Sequence, residues 1–325
     1  MKAVWYERNG PAREVLQFGD IPDPQPGPGE VRVRVYASGV NPSDWKTRSG
    51  SRPMIAPRVI PHSDGAGVID QVGAGVDPAR IGERVWIWNG QWKRPFGTAA
   101  EFIALPSEQA VALPANTSFA EGACLGIPAL TAHRALTIDG SVQSQTVLVS
   151  GGAGAVGHYA IQFAQLLGAK TVITTVSSDE KAEDARSAGA NHVINYRTDP
   201  VAERVIAVTD GRGVDRVVEV DVAGNAALIP QVLAQDGLCV AHGSNRPEAC
   251  FAFGPMILRG IAVRFFIVYE LSPEARSHGI ADLTCWLEEG RIQHTIATEL
   301  PLEHTVEAHE LVEQGRRTGN VVVRL

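Results

Sequence analysis

Cysteine is scarce in this 325-residue chain: there are four, Cys124, Cys239, Cys250 and Cys285, with no Cys-x-x-Cys pair. A disulfide framework is thereby excluded. Long apolar runs are missing too. The longest patches resemble Phe265-Phe266-Ile267-Val268-Tyr269, far short of the ~18 residues that span a bilayer. Positive charge is in deficit, with 29 Lys and Arg against 36 Asp and Glu and a net charge of −7. That excludes a broad basic face for nucleic acid or anionic lipid, but not a local phosphate pocket. The opening Met1-Lys2-Ala3-Val4-Trp5-Tyr6-Glu7 has no hydrophobic signal core, so the expected location is the cytoplasm. What is present is ordinary globular composition, 44% apolar and 20% charged, which excludes intrinsic disorder. The length favours two domains.

The mild excess is in glycine (33) and proline (20), and its placement organises the chain. Alternating prolines in Ile21-Pro22-Asp23-Pro24-Gln25-Pro26-Gly27-Pro28-Gly29 feed neither helix nor ladder, so they predict an extended surface loop. The loop leads into Val31-Arg32-Val33-Arg34-Val35-Tyr36-Ala37, whose alternation reads as a half-buried strand. Residues 67–72, 84–88 and 102–105 read as further strands. Up to about residue 115 the pattern is all-β, a small partly open barrel. From Thr146 the rhythm changes. Strands at 146–150, 171–175, 192–195, 214–220 and 238–241 alternate with helices at 155–167, 179–188 and 201–208. That alternation implies right-handed crossovers and a doubly wound parallel sheet. Helices at 273–289 and 303–314 and a strand at 320–324 are expected to return to the first domain.

Ser150-Gly151-Gly152-Ala153-Gly154-Ala155-Val156-Gly157 carries Gly-x-Gly-x-x-Gly between a strand and a helix, the context that a dinucleotide fingerprint requires. Glycine permits the tight turn and lets a pyrophosphate reach backbone N–H groups at a helix N-terminus. An NAD site places an acid at the tip of the next strand. Here Thr174-Thr175-Val176-Ser177-Ser178 has none. The small hydroxyls leave room for a 2′-phosphate, with Lys181, Tyr196 and the Arg316-Arg317 pair as further candidates, so NADPH is the expected cofactor.

Val40-Asn41-Pro42-Ser43-Asp44, Ser63-Asp64-Gly65-Ala66-Gly67-Val68-Ile69, Gly126-Ile127-Pro128-Ala129-Leu130-Thr131-Ala132 and the glycine loop occur in that order. With them the chain resembles, over essentially its whole length, the medium-chain dehydrogenase/reductases of the quinone oxidoreductase (zeta-crystallin-like) branch. The resemblance implies an α/β fold: a GroES-like, partly open β-barrel catalytic domain from 1–120 and 266–325, and an inserted Rossmann domain, a doubly wound parallel sheet, at 121–265. It implies a cleft holding NADPH, with nicotinamide contacts near Asn41, Asp44, Gly126, Pro128 and Thr131. The segment carrying Lys181 and Tyr196 is implied to take the 2′-phosphate. Backbone contacts to the cofactor are implied near Gly243-Ser244 and Phe266-Ile267-Val268.

Zinc relatives of that superfamily place cysteine and Gly-His-Glu where this chain has Ser38-Gly39-Val40-Asn41 and His62-Ser63-Asp64. Three protein ligands for a catalytic zinc cannot be assembled from those positions, so no metal is expected. His62 is expected to line the cleft, and His304 and His309 to lie on a solvated helix face. Cys124 is expected to be a small buried hydrophobe. Without a Lewis acid, the chemistry suits an acceptor that is already electrophilic, a quinone or an α,β-unsaturated carbonyl. A 2-alkenal or enone reductase and a non-catalytic NADPH-binding protein remain the alternatives. Family members often carry a tyrosine shortly after Asn-Pro-x-Asp, whereas this chain has Trp45-Lys46 and, further on, Arg52. It also reads Gly97-Thr98-Ala99-Ala100-Glu101 in place of Gly-Gly-Tyr-Ala-Glu. Lys46, Arg52, His62 and Trp92 are expected to replace the lost aromatic hydroxyls. The catalytic candidates are Asn41, Asp44, Lys46, His62 and Thr131, with no single essential protein acid. Residues 260–267 read as an apolar strand at the sheet edge, which predicts a homodimer.

Overall fold

The proline-rich loop delivers the chain into one long strand that serves several partners. In the computed structural model, which describes residues 1–315 and 318–325, the early strands are β1 (Lys2–Trp5), β2 (Gln17–Asp20), β3 (Glu30–Val40), β4 (Asp64–Val72), β5 (Arg84–Ile87), β6 (Phe102–Pro106) and β7 (Ala110–Ala112). Alternation along β3 buries Val31, Val33 and Val35. Arg32 turns to the opposite face and pairs with Asp70 of β4 at 2.7 Å. β4 runs along one side of β3, while the other side is shared: Glu30–Arg34 pairs with β6, and Ala37–Val40 with a strand from the far end of the chain. The β3–β4 register shifts twice. Such bulges bend and twist a strand, which curls this sheet towards the expected barrel.

The stretch to residue 115 is not all-β, however. Pro42–Lys46 is a short helix. Pro42 sits where a first-turn N–H would have no partner anyway, and the Asp44 carboxylate accepts the Asn41 N–H at 2.7 Å. A single proline-initiated turn carries no 3.6-residue periodicity, so the sequence pattern hides it.

The second layer follows the predicted rhythm. Among the described residues, β8 (Thr146–Val149), β9 (Thr171–Val176), β10 (His192–Asn195), β11 (Val214–Glu219), β12 (Leu233–Ala241) and β13 (Ala262–Phe265) form a parallel sheet in the order β10-β9-β8-β11-β12-β13. Helices Ala155–Leu166, Asp179–Ser187 and Val201–Val208 connect its early strands. Strands covered on both faces read as apolar runs, and Leu148, Ile173, Ile194, Val217 and Cys239 share one core. β12 starts at Leu233, before the expected 238, because the chain carries the Asp236-Gly237 irregularity inside the strand. The edge strand is shorter than 260–267.

β14 (Ile296–Pro301) and β15 (Asn320–Arg324) close the chain. β15 pairs antiparallel with β3, and β14 pairs parallel with β15. β14 has neither alternation nor a buried run, so no sequence signal marks it. The chain separates into two compact units, Met1–Ile127 with Ile280–Leu325, and Pro128–Gly279. The division falls after 127 and 279, and β13 with the turn after it lies in the same unit as the rest of the parallel sheet.

Ile173 is fully buried in β9, between β10 and β8 of that sheet. Ile173→Ala is expected to lower unfolding free energy by about 2–5 kcal/mol, read as a reduced urea midpoint with an unchanged slope.

Candidate functional site

The glycine loop leaves the carboxyl end of β8 beside β11, where strand order reverses and open α/β sheets bind ligands. Gly151 adopts φ 72°, a left-handed conformation that favours glycine. A Cβ on Gly152 would collide with Thr174 Oγ1, and one on Gly157 with the Gly151 carbonyl. The loop is tied to β9 through Gly151 N–H to Thr175 Oγ1 at 3.2 Å and Gly152 N–H to the Thr175 carbonyl at 3.0 Å. Ala153 is buried, while Gly154 caps the helix that contains Ala155, Val156 and Gly157. This is a cradle of backbone N–H groups at a helix N-terminus, shaped for a pyrophosphate.

At the β9 tip the hydroxyls divide. Thr174 donates to the Val149 carbonyl at 2.7 Å, Thr175 Oγ1 accepts from the glycine loop, and both side chains are buried. Ser178 Oγ caps the next helix by accepting the Lys181 N–H at 3.3 Å. Ser177 and Lys181 stay partly exposed. Tyr196 N–H binds the Val176 carbonyl at 3.0 Å, which sets this exposed ring beside the tip. Arg317 lies outside the described residues. Beyond β12, Gly243, Ser244 and Phe266 line a cavity of about 500 Å³ with Arg246 and Phe251. Val268 lies apart from this lining, buried in the turn after β13. Thr131 is buried in the helix Leu130–Thr137.

In the β-barrel unit the predicted residues meet around a carboxylate that sequence reasoning did not select. Asp64 Oδ2 accepts both Asn41 Nδ2 and the Ile127 N–H, each at 2.9 Å. Gly126 is glycine because a Cβ there would strike Asp64 Oδ1. Pro128 follows in the turn Leu125–Ala129. Burial raises the carboxyls of Asp64, well above the usual range, and of Asp44, to about 7.

His62 does not line a cleft. It is fully buried at φ 76°, and a directed chain of hydrogen bonds uses both ring nitrogens. Thr98 donates to the Asp64 carbonyl at 2.6 Å. Ser38, 2.7 Å from Thr98, must then donate to it and accept from His62 Nδ1 at 2.9 Å. That leaves His62 Nε2 as acceptor for the N–H of His309 Nε2 at 2.9 Å. The solvated face expected for His304 and His309 holds for His304 alone. His309 falls with Thr305 and Ala308 on the buried side of the helix Thr305–Gln314, three and four residues apart.

Lys46 lies 5.8 Å over the Trp45 ring. Arg52 stacks at 4.5 Å on Trp92 in a separate cavity of about 180 Å³, shared with Tyr6, Met54 and Lys93. Cys124 is buried, its thiol donating to the Ala120 carbonyl at 3.3 Å and pushed well above its ordinary pKa by burial. It is no thiolate nucleophile.

The zinc positions can now be tested on their donors. Asn41 turns its amide N–H to Asp64, and His62 is committed to Ser38 and His309. One carboxylate ringed by N–H donors does not make a three-ligand site, so these residues do not fit a catalytic zinc.

Residues 27–115 match the family described as alcohol dehydrogenase GroES-like domain, and residues 155–283 match zinc-binding dehydrogenase. The second match lies outside the zinc positions just described. A 2-haloacrylate reductase from Burkholderia sp is 31% identical, covering 99% of this chain and 98% of its own. Quinone oxidoreductase from Pseudomonas aeruginosa is 32% identical, covering 95% of each. The crystal structure of Escherichia coli quinone oxidoreductase complexed with NADPH has a TM-score of 0.90 at 26% identity, covering all of both chains. The chain belongs to the medium-chain dehydrogenase/reductases, in their quinone oxidoreductase branch.

Burial holds His62 down to about 3. It holds His309 well below its ordinary value, with His62 and Arg48 adding to the effect. Both are neutral when folded and titrate near 6.5 when unfolded. Their contribution is complete above pH 6.5 and is lost as pH falls from there towards 3. Asp44 and Asp64, raised by burial, act in the opposite sense, so the difference between variants is the clean measure. Relative to His309→Leu, the native protein is expected to lose about 1.4 kcal/mol per pH unit below 6.5, measured by urea unfolding from pH 7 to 5. Parallel profiles would contradict the buried neutral pair.

Proposed function

We propose that this chain is a zinc-independent reductase that binds NADPH through its parallel-sheet unit and reduces a quinone-type acceptor. The observation that carries the reading is the glycine loop at the point where strand order reverses, with an acid-free β9 tip beside it. Bound NADPH would supply a hydride. The N–H groups of Ala153, Ala155, Val156 and Gly157 would hold its pyrophosphate, with Gly152 and Gly154 shaping the turn, and Ser177, Lys181 and Tyr196 its 2′-phosphate. Gly243, Ser244 and Phe266 would lie along the cofactor, with Val268 supporting the turn behind. In the other unit, Asn41 is held in place by Asp64, while Asp44 and His62 hold backbone and side chains in place. Lys46 is the charged group left to meet an acceptor. Because His62 is buried and committed, solvent is the proton source in this reading. The Pseudomonas and Escherichia relatives support the quinone assignment.

Reduction of an activated carbon–carbon double bond is the second reading, favoured by the 2-haloacrylate reductase relative. NADPH oxidation measured across quinones and 2-alkenals separates the two, and no turnover with any acceptor would favour a binding role. NADPH is expected to bind more tightly than NADH. Lys181→Ala is expected to weaken NADPH about tenfold, as one charge-assisted contact allows, with NADH unchanged. A native preference for NADH would defeat the cofactor assignment.

The same reading includes a cytoplasmic homodimer joined along β13. No helix among the described residues is long and apolar enough to cross a membrane. β13 is the outermost strand; its Phe265 is 60% exposed, and Phe253 and Leu258 in the preceding helix are 75% and 81% exposed. Open edges with apolar neighbours favour pairing. Sedimentation is expected to give a dimer, and Leu258→Asp a monomer; a native monomer removes this part of the reading.

A further inference from the structure

Glu219 ends β11 almost without exposure (1%), and its carboxylate gathers donors from two loops. Ser150 Oγ donates at 2.7 Å, the Asp221 N–H at 2.6 Å and Asn225 Nδ2 at 2.9 Å. Ser150 is the residue through which β8 enters the glycine loop. Asp221 and Asn225 belong to the turn after β11. Asp221 extends the link, for its carboxylate accepts the Asn245 N–H at 2.9 Å and Asn245 Nδ2 at 3.1 Å. Asn245 follows Gly243 and Ser244 beyond β12, and the Val222 N–H binds the Gly243 carbonyl at 3.1 Å. Two carboxylates thus join the loops that leave β8, β11 and β12.

An anion under a phosphate-binding loop opposes the phosphate by like charge. A buried carboxylate is also costly unless hydrogen-bonded. Apolar packing at the end of β11 would avoid both costs, so the gain must lie in geometry: three donors from two separate segments converge on one group. We propose that Glu219 is a positioning residue that holds the glycine loop, through Ser150, and the 243–245 segment, through Asp221, in their binding shape before a dinucleotide arrives. Preorganisation of this kind lowers the ordering cost of binding. The proposal rests on the dinucleotide reading above.

Glu219→Gln preserves size but sets an NH2 group against the donors, and Ser150→Ala cuts a single link. Fluorescence titration with NADPH and steady-state reduction of 1,4-benzoquinone are compared with thermal melting of the same samples. Each folded variant is expected to raise the Kd and KM for NADPH about tenfold, with kcat at saturating NADPH and the quinone KM within about twofold. Unchanged NADPH affinity, or tighter binding by Glu219→Gln, would overturn the proposal, the latter because charge repulsion then outweighs geometry. If Glu219 variants fail to fold, Ser150→Ala and Asn225→Ala decide on the same readouts. If the native protein itself does not bind NADPH, the dinucleotide reading fails separately. Hydrogen exchange at 150–157 without cofactor then still tests the clasp: faster exchange in Ser150→Ala is expected, and equal exchange refutes it.

Discussion

The parallel-sheet unit depends on close backbone approach where β8 turns into its helix. Gly152 lies against Thr174 and Gly157 against the Gly151 carbonyl, so a side chain at either position forces strand, loop and helix apart. The same bare backbone that lets these elements pack leaves N–H groups facing outward at the helix N-terminus. Packing and anion binding are therefore one constraint met by one set of residues.

The β-barrel unit is organised around polar groups instead. Asp64 holds Asn41 and the 127 backbone, while its carbonyl receives a hydrogen-bond chain that begins at His309. Each donor in that chain has one direction open to it, which gives both imidazoles single tautomers without a buried charge between them. Hydrogen bonds of this kind, made in a low-dielectric interior, are stronger than in water. Here the network fastens the helix Thr305–Gln314 to β3 and to the 98–101 segment, which explains why a chain end so distant in sequence belongs to this unit.

Legibility followed periodicity. The glycine loop, the alternating valines of β3 and the strand–helix rhythm from Thr146 were readable because each repeats a local rule. The helix Pro42–Lys46 and β14 were not, since one is a single capped turn and the other a half-exposed strand. Among the candidate residues, motifs drew attention to Asn41, Gly126 and the glycine loop. Glu219 and Asp64 were not recognised as hubs, because a carboxylate at a strand end looks the same whether it meets water or three buried donors. His309 was misplaced for a related reason: its inward face shows only against Thr305 and Ala308, and histidine is not an apolar marker.

The sequence by itself determined the class: a β-rich unit and a unit of alternating strands and helices, a dinucleotide-type loop, an acid-free second strand tip and no cysteine at the zinc positions. Each is a property of residue types at fixed spacing. Only the tertiary structure decided which polar groups are spent. It took Thr174, Thr175, His62 and Asp44 into internal hydrogen bonds, left Lys181 and Tyr196 reachable, and set Glu219 under the loop. Spacing reports which groups a chain owns, whereas burial and hydrogen-bond direction decide which remain free to act.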